Sequence, residues 1–110
     1  MLLIEISKKY FKIFSNKDLS GLQEMFSKEI RLRDWEINAR GLEDVVKAFK
    51  SIFENVETVQ VNPLEIYNDG NTVIAELGIS INNGQEILSV VDIIEFDNEY
   101  KISAIRAYKR

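Results

Sequence analysis

The 110-residue chain contains neither cysteine nor histidine, and it has only one proline. Without cysteine it forms no disulfide and offers no thiolate nucleophile, and without histidine it lacks the usual zinc ligands and the base of a Ser–His–Asp triad. Proton chemistry near neutral pH must therefore use carboxylates, tyrosine or lysine with shifted pKa values. Because the sequence also lacks a glycine-rich phosphate loop and an EF-hand spacing, we expect no cofactor and no bound metal.

Charge and hydropathy argue against two classes of partner. The 18 acidic residues exceed the 14 basic ones, and the basic residues are scattered along the chain, whereas nucleic acid would require a basic stripe. No apolar run approaches the roughly 20 residues that span a membrane. The N-terminal segment does not resemble a signal peptide, because Glu5, Lys8 and Lys9 interrupt it. We expect a cytoplasmic protein with neither a nucleic-acid nor a membrane partner.

The hydrophobic pattern predicts helices first and strands afterwards, within a single domain over residues 1–110. Apolar residues at spacings of three and four predict three helices, the second capped by Asp18 and the third preceded by Gly41. Alternating residues separated by Asn- and Gly-containing turns predict strands at 30–34 and at about 56–68, 72–82, 86–97 and 100–109. This order is typical of an α+β domain, a cone in which three helices pack on a strongly curved antiparallel sheet and enclose a cavity.

Asp92 is the most unusual residue of the chain, because it lies within an otherwise apolar strand. Residues i and i+2 of a strand share a face, so Asp92 points the same way as Val90 and Ile94. An ionised carboxylate without a partner would cost several kcal/mol there, and no lysine or arginine lies on that face of the strand. We therefore expect Asp92 to be a neutral acid that can donate a hydrogen bond.

Two further polar residues lie on predicted apolar faces, Tyr10 in the first helix and Asp34 at the end of the first strand. Each also has a purely structural interpretation. Asp34 could accept backbone N–H groups before a turn. Asp92 and Tyr10 could hold each other in a buried network, and Tyr10 could be an ordinary core residue with its hydroxyl satisfied.

These segments resemble the nuclear transport factor 2-like superfamily, on the branch that holds ketosteroid isomerase and the SnoaL-like polyketide cyclases. The resemblance covers about residues 7–109. It rests on the following segments: Tyr10–Asp18, Met25–Asp34, Gly41, Val90–Asp97 and Ile102–Tyr108.

The resemblance implies an isomerase- or cyclase-type enzyme that transfers a proton α to a carbonyl group. Asp34 falls on the position of the general base, and Tyr10 and Asp92 fall on the tyrosine and protonated aspartic acid of the oxyanion hole. Trp35 follows Asp34 where the isomerases have proline, and phenylalanines replace two tyrosines that support the oxyanion hole in some isomerases. We expect the ligand cavity to be lined by these residues: Phe14, Phe26, Trp35, Phe49, Glu76, Val90 and Ile94.

Two other functions remain open at this point. One is a non-catalytic module that uses the pocket to bind a small ligand or the sheet to bind a protein, and many members of the superfamily are of this kind. The other is a hydrolase of epoxide type, for which Glu76 is the single supporting residue.

The strand over 72–82 leads to a prediction about assembly. Its odd positions, from Val73 to Ile81, are all apolar, and the resemblance places its even positions, including Glu76, on the cavity side. The odd positions would then form an apolar outer face that needs cover. We therefore predict a homodimer packed through the outer face of the sheet.

Overall fold

The computed structural model describes residues 2–110, which form three helices and one six-stranded sheet. The helices are α1 (Leu2–Ser15), α2 (Leu19–Met25) and α3 (Leu42–Glu54). The strands are β1 (Phe26–Arg33), β2 (Asn38–Arg40), β3 (Val59–Asp69), β4 (Thr72–Ile81), β5 (Glu86–Phe96) and β6 (Ile102–Lys109). The predicted α+β class is confirmed. None of the described helices is long and apolar enough to cross a membrane, and the cytoplasmic location stays a prediction.

The prediction of a wholly antiparallel sheet is wrong, because the sheet is mixed, with the strand order β2-β1-β6-β5-β4-β3. All neighbouring strands are antiparallel except β1 and β6, which run parallel. The parallel pair arises because the chain leaves β1, crosses through α3 to the far edge at β3, and returns strand by strand until β6 lies beside β1. The short strand β2 lies between the predicted first strand and third helix, where the sequence pattern predicts no strand.

Local capping sets the connection between α1 and α2. Lys17 adopts a left-handed conformation with φ 56°, and the N–H of Asp18 donates to the carbonyl of Ile13 at 3.1 Å, which is a common way to end a helix. Asp18 then caps α2, because its side chain accepts the N–H of Gly21 at 3.0 Å. The predicted cap is confirmed.

The helices cover one face of the sheet, which we call the inner face. The Ser15 hydroxyl joins α1 to this sheet, since it donates to the carbonyl of Phe11 at 2.9 Å and accepts the N–H of Val61 at 2.9 Å. The core between the two layers consists of apolar residues with less than a tenth of their surface exposed, among them Phe11, Leu22, Ile30, Val45, Phe49, Val73, Leu77, Ile94, Phe96 and Ile102.

The predicted orientation of β4 is wrong. Ala75 pairs with Asp92 and Leu77 pairs with Val90, and directly paired residues of neighbouring strands share a face. Because Val90 and Asp92 point inward, the odd positions of β4 also point inward, and Glu76 is exposed on the outer face. The apolar odd positions are therefore covered by this chain's own helices, and the homodimer loses the argument on which it was first based.

We expect Asp18→Ala to lower the free energy of unfolding by about 1 kcal/mol, because the seven-residue helix α2 loses its N-cap hydrogen bond. Urea denaturation followed by circular dichroism measures this change. Gln23→Ala, at an exposed position of the same helix, is the control and should change stability by a few tenths of a kcal/mol at most. Equal losses in the two variants would contradict the role of the cap.

Candidate active site

A cavity of about 240 Å³ lies between the helices and the inner face of the sheet. Its wall is mostly apolar, with contributions from α1, α3 and strands β3 to β6. Four of its lining side chains carry a hydroxyl or a carboxyl group, and these are Tyr10, Asp34, Glu36 and Asp92. A mostly apolar pocket with a few convergent polar groups is typical of a small-molecule site.

The structure brings together most of the residues that the sequence singled out. Besides Tyr10, Asp34 and Asp92, the cavity wall includes Phe14, Trp35, Phe49 and Val90. Three residues expected in the wall do not line it. Glu76 lies on the outer face, as the register of β4 requires. Phe26 and Ile94 are buried in the core behind the wall, with the Phe26 ring 5.6 Å from that of Phe49.

Asp92 projects from the middle of β5 and is only 7% exposed. Among residues 2–110 its carboxyl group has no hydrogen-bond partner and no basic partner, and it faces the cavity. Burial and, to a smaller extent, the negative charge of Asp34 together raise the pKa of Asp92 to about 7. Asp92 therefore keeps its proton at pH values well above those at which an ordinary aspartic acid loses it.

Tyr10 faces the same cavity from α1. Its ring packs against phenylalanines, with centroids 5.5 Å from Phe11 and 6.3 Å from Phe14 and Phe26. Burial raises the pKa of the Tyr10 hydroxyl, and the charge of Asp92 acts in the same direction. No hydrogen bond joins Tyr10 to Asp92 within residues 2–110, so the two do not form the buried network of the structural interpretation. Both keep a donor free for a guest in the cavity.

Asp34 follows directly after β1 and shapes the turn that leads to β2. Its Oδ1 atom accepts the N–H of Glu36 at 2.8 Å and of Ile37 at 2.6 Å, while its own N–H donates to the carbonyl of Ile37 at 2.9 Å. The structural interpretation of Asp34 is thus correct as far as Oδ1 is concerned. Its Oδ2 atom has no partner in the described part of the chain, and the side chain lines the cavity. The turn therefore holds the carboxylate in place without using both oxygens.

Trp35 and Lys109 lie together at the edge of the cavity. The Trp35 side chain is 40% exposed, and the Lys109 ammonium lies 5.0 Å from the centre of its ring, which is a cation–π contact. The sequence did not suggest Lys109, because Lys109 comes next to Trp35 only through the position of β6 in the sheet. The sequence also did not point to three further wall residues, Leu77, Ile79 and Ile81, because the resemblance implies that the even positions of β4, and not these odd ones, face the cavity.

Within residues 2–110, no three acidic side chains converge as a set of metal ligands. The carboxyl groups of the cavity also differ in their surroundings. Asp92 is buried among apolar residues, whereas Asp34 is half-buried and takes part in backbone hydrogen bonds. Two acids in different environments can serve as a hydrogen-bond donor and as a proton acceptor in the same site.

The family model of the SnoaL-like domain matches residues 8–105. The chain belongs to the SnoaL-like domain family. This assignment confirms the resemblance to the nuclear transport factor 2-like superfamily, of which that family is a branch. No functionally curated protein sequence is detectably similar to this SnoaL-like domain.

Solved structures share this fold at low sequence identity. A SnoaL-like family isomerase candidate from Agrobacterium tumefaciens has a TM-score of 0.86 and 11% identity, over 100% of this chain and 99% of the other. A candidate ketosteroid isomerase from Kribbella flavida has a TM-score of 0.82 and 14% identity, over 96% and 76%. An LEH-like epoxide hydrolase from M. tuberculosis has a TM-score of 0.82 and 17% identity, over 98% and 82%. At such identities the likeness establishes the fold alone.

We expect the side-chain carboxyl carbon of Asp92 to titrate in carbon NMR with a midpoint near pH 7. Because desolvation is the larger cause, Asp34→Asn should lower this midpoint but leave it above 3.8, the pKa of an ordinary aspartic acid. Asp69→Asn, at the exposed C-terminal end of β3, is the control and should leave it unchanged. A midpoint at or below 3.8 in the unsubstituted protein would contradict the neutral acid.

Proposed function

We propose that this SnoaL-like domain is a small-molecule acid–base enzyme of isomerase or cyclase type, which transfers a proton α to a carbonyl group. The observation that carries the proposal is the convergence of three groups on one apolar cavity of about 240 Å³. Two of them, Tyr10 and Asp92, have unused hydrogen-bond donors, and the third, Asp34, has a free carboxylate oxygen. Two of the solved structures with the same fold are isomerase candidates, which agrees with this class of reaction.

The proposed proton transfer conserves all atoms of the substrate. The free oxygen of Asp34 removes the proton from the α-carbon of a β,γ-unsaturated ketone, and the electrons of that C–H bond pass to the carbonyl oxygen. Tyr10 and neutral Asp92 donate hydrogen bonds to the oxygen as its negative charge develops. Asp34 then returns the proton to the γ-carbon, which gives the conjugated ketone and regenerates the carboxylate.

The cavity also indicates what kind of substrate fits. Drug-sized ligands occupy pockets of roughly 300–1,000 Å³, so a cavity of about 240 Å³ suits a smaller molecule. The acidic side chains of Asp34 and Glu36 line it, and they would repel an anionic substrate. We therefore propose a small, uncharged and largely apolar carbonyl compound.

The alternative of a non-catalytic module is supported by one feature of the site. Phe49 lines the cavity and Phe26 lies behind it beside Tyr10, so neither can donate the hydrogen bond that a tyrosine would supply to the oxyanion hole. The hydrolase alternative has lost its support, because Glu76 lies on the outer face of the sheet. We favour the enzyme because the hydrogen-bond donors of Tyr10 and Asp92 and one carboxylate oxygen of Asp34 are free within the same pocket.

Cyclohex-3-enone, whose conversion to cyclohex-2-enone raises ultraviolet absorbance, tests the proposal with a substrate of suitable size. We expect the protein to accelerate this conversion, and Asp34→Asn to lower kcat by roughly 10²–10⁴-fold. The amide oxygen of asparagine can still accept the two backbone N–H groups of the turn, so the change removes the base and spares the fold. Asp69→Asn is the control of equal charge change and should keep full activity.

The same assay has an expected pH dependence. Asp92 keeps its proton below a pKa of about 7 and loses it above, so kcat/KM should fall as the pH rises through 7, because a donor is replaced by a negative charge that faces the enolate. Asp92→Asn should remove this fall, since its amide donates without titrating. Full activity of Asp34→Asn would refute the enzyme, and binding of cyclohex-3-enone without turnover would favour the non-catalytic module.

We also propose that the protein forms a homodimer through the outer face of its sheet. Although the odd positions of β4 point inward, this face presents another set of large apolar side chains, which we call the outer apolar patch: Tyr67, Ile74, Ile87, Val91, Ile93 and Tyr108. Tyr67 pairs with Ile74 and Ile74 with Ile93, and in the adjacent row Val91 pairs with Tyr108 on one side and with Glu76 on the other, so apolar side chains extend from β3 to β6 with one carboxylate among them. Tyr67, Ile87 and Tyr108 are each more than half exposed. A second copy can cover such a patch by a two-fold contact of like with like.

Sedimentation at micromolar protein concentration should give the mass of a dimer. Val91→Glu should give a monomer, because it removes an apolar contact and adds a second carboxylate directly beside that of Glu76, where a dimer would bury two like charges next to each other. Ser51→Glu, on the exposed side of α3, is the control and should remain dimeric. A monomer in the unsubstituted protein would contradict this assembly, whatever the activity of the cavity.

A further inference from the structure

Four arginines gather on the outer face of the sheet, although they are scattered in the sequence. Arg31, Arg33, Arg40 and Arg106 surround a depression of about 150 Å³ at the edge formed by β2, β1 and β6. The chain has five arginines in all, and none of its nine lysines lines this depression. We call this feature the arginine depression.

The strand register places these like charges directly beside one another. Arg31 pairs with Arg40 between β1 and β2, and Arg33 pairs with Arg106 between β1 and β6. Directly opposed like charges destabilise a sheet. The arginines of each pair therefore repel one another wherever no anion offsets their charge.

Little of this charge is neutralised within the protein. Arg106 forms an ion pair and a hydrogen bond with Glu95. Among residues 2–110, the guanidinium groups of Arg31, Arg33 and Arg40 have no carboxylate oxygen within 4.0 Å. Glu95 therefore holds one arginine in place, while three positive charges at the depression remain without an acidic partner.

We propose that the arginine depression binds the diphosphate group of a small molecule. The planar guanidinium group presents paired N–H donors that match two oxygens of one phosphoryl group, which an ammonium group cannot do. The exclusive use of arginine around the depression thus fits recognition of phosphoryl oxygens by geometry as well as charge. A diphosphate offers oxygens to more than one guanidinium at once, and Asn38 adds a neutral donor at the rim.

The arginine depression is separate from the cavity of the proposed active site. The side chains of Leu32 and Ile105 are buried on the inner face and line that cavity, while the same residues also form part of the depression from the other side. One layer of sheet thus lies between the two. Diphosphate binding does not depend on the proposed acid–base activity of the cavity, and each can fail while the other holds.

Isothermal titration calorimetry with inorganic pyrophosphate at low ionic strength tests the site. We expect one pyrophosphate per chain, and a roughly tenfold or greater loss of affinity in Arg31→Gln and in Arg33→Gln. Arg33→Lys should also bind more weakly, because it keeps the charge and loses the paired donors. Arg110→Gln is the matched control, since it removes the fifth arginine from outside the depression, and its affinity should be unchanged.

Two additional measurements complete the test. Without ligand, Arg31→Gln should raise the melting temperature by about 1–5 °C, because it relieves repulsion with Arg40, and this also shows that the variant folds. Titration with ADP identifies the source of the group, since tighter binding than pyrophosphate indicates a diphosphate ester and equal binding indicates the free anion.

Several results would overturn the proposal. Titration heats no larger than those of dilution would do so, as would an equal loss of affinity in Arg110→Gln. Binding of a single-stranded oligonucleotide without binding of pyrophosphate would assign the arginines to nucleic acid. Dissociation of a dimer by Arg31→Gln without pyrophosphate binding would assign them to a second copy of the chain.

Discussion

The chemistry of this SnoaL-like domain depends on a buried carboxyl group that has no partner in the described part of the protein. Asp92 occupies a position where every neighbour on its strand face is apolar, and burial keeps it protonated up to a pKa of about 7. If an arginine or a set of backbone donors satisfied this group, it would be an ordinary charged aspartate that only accepts hydrogen bonds. Its lack of a partner makes it a donor at neutral pH.

The rest of the site follows from how the fold surrounds that group. The helices supply Tyr10 and a wall of aromatic rings, and the sheet supplies Asp92 and the aliphatic wall opposite. Asp34 lies outside the regular strands, where a turn takes one of its oxygens and leaves the other free. Its structural role is therefore compatible with the proposed role as a base, because the backbone hydrogen bonds that shape the turn also orient the carboxylate.

The sheet uses its two faces differently. The inner face is apolar and lines the core and the cavity, while the outer face has an apolar centre and the arginine depression at one edge. Both outer features depend on pairing between strands that are distant in sequence, such as β1 with β6 and β4 with β5. In the sequence these residues are far apart, and only the strand register shows that they are neighbours.

The sequence by itself determined the order of the three helices and the five longer strands, the Asp18 cap and the inward direction of Asp92, because each of these depends on local spacing alone. It did not determine the facing of β4, because the apolar odd positions needed cover on either face while the resemblance placed the even positions on the cavity side, and the inner face became clear only from the pairing of Ala75 with Asp92. The parallel placement of β1 beside β6, the contact of Lys109 with Trp35 and the gathering of four arginines were likewise decided by the tertiary structure. Each joins residues far apart along the chain, and the spacing of side chains within one segment contains no information about which other segment will lie next to it.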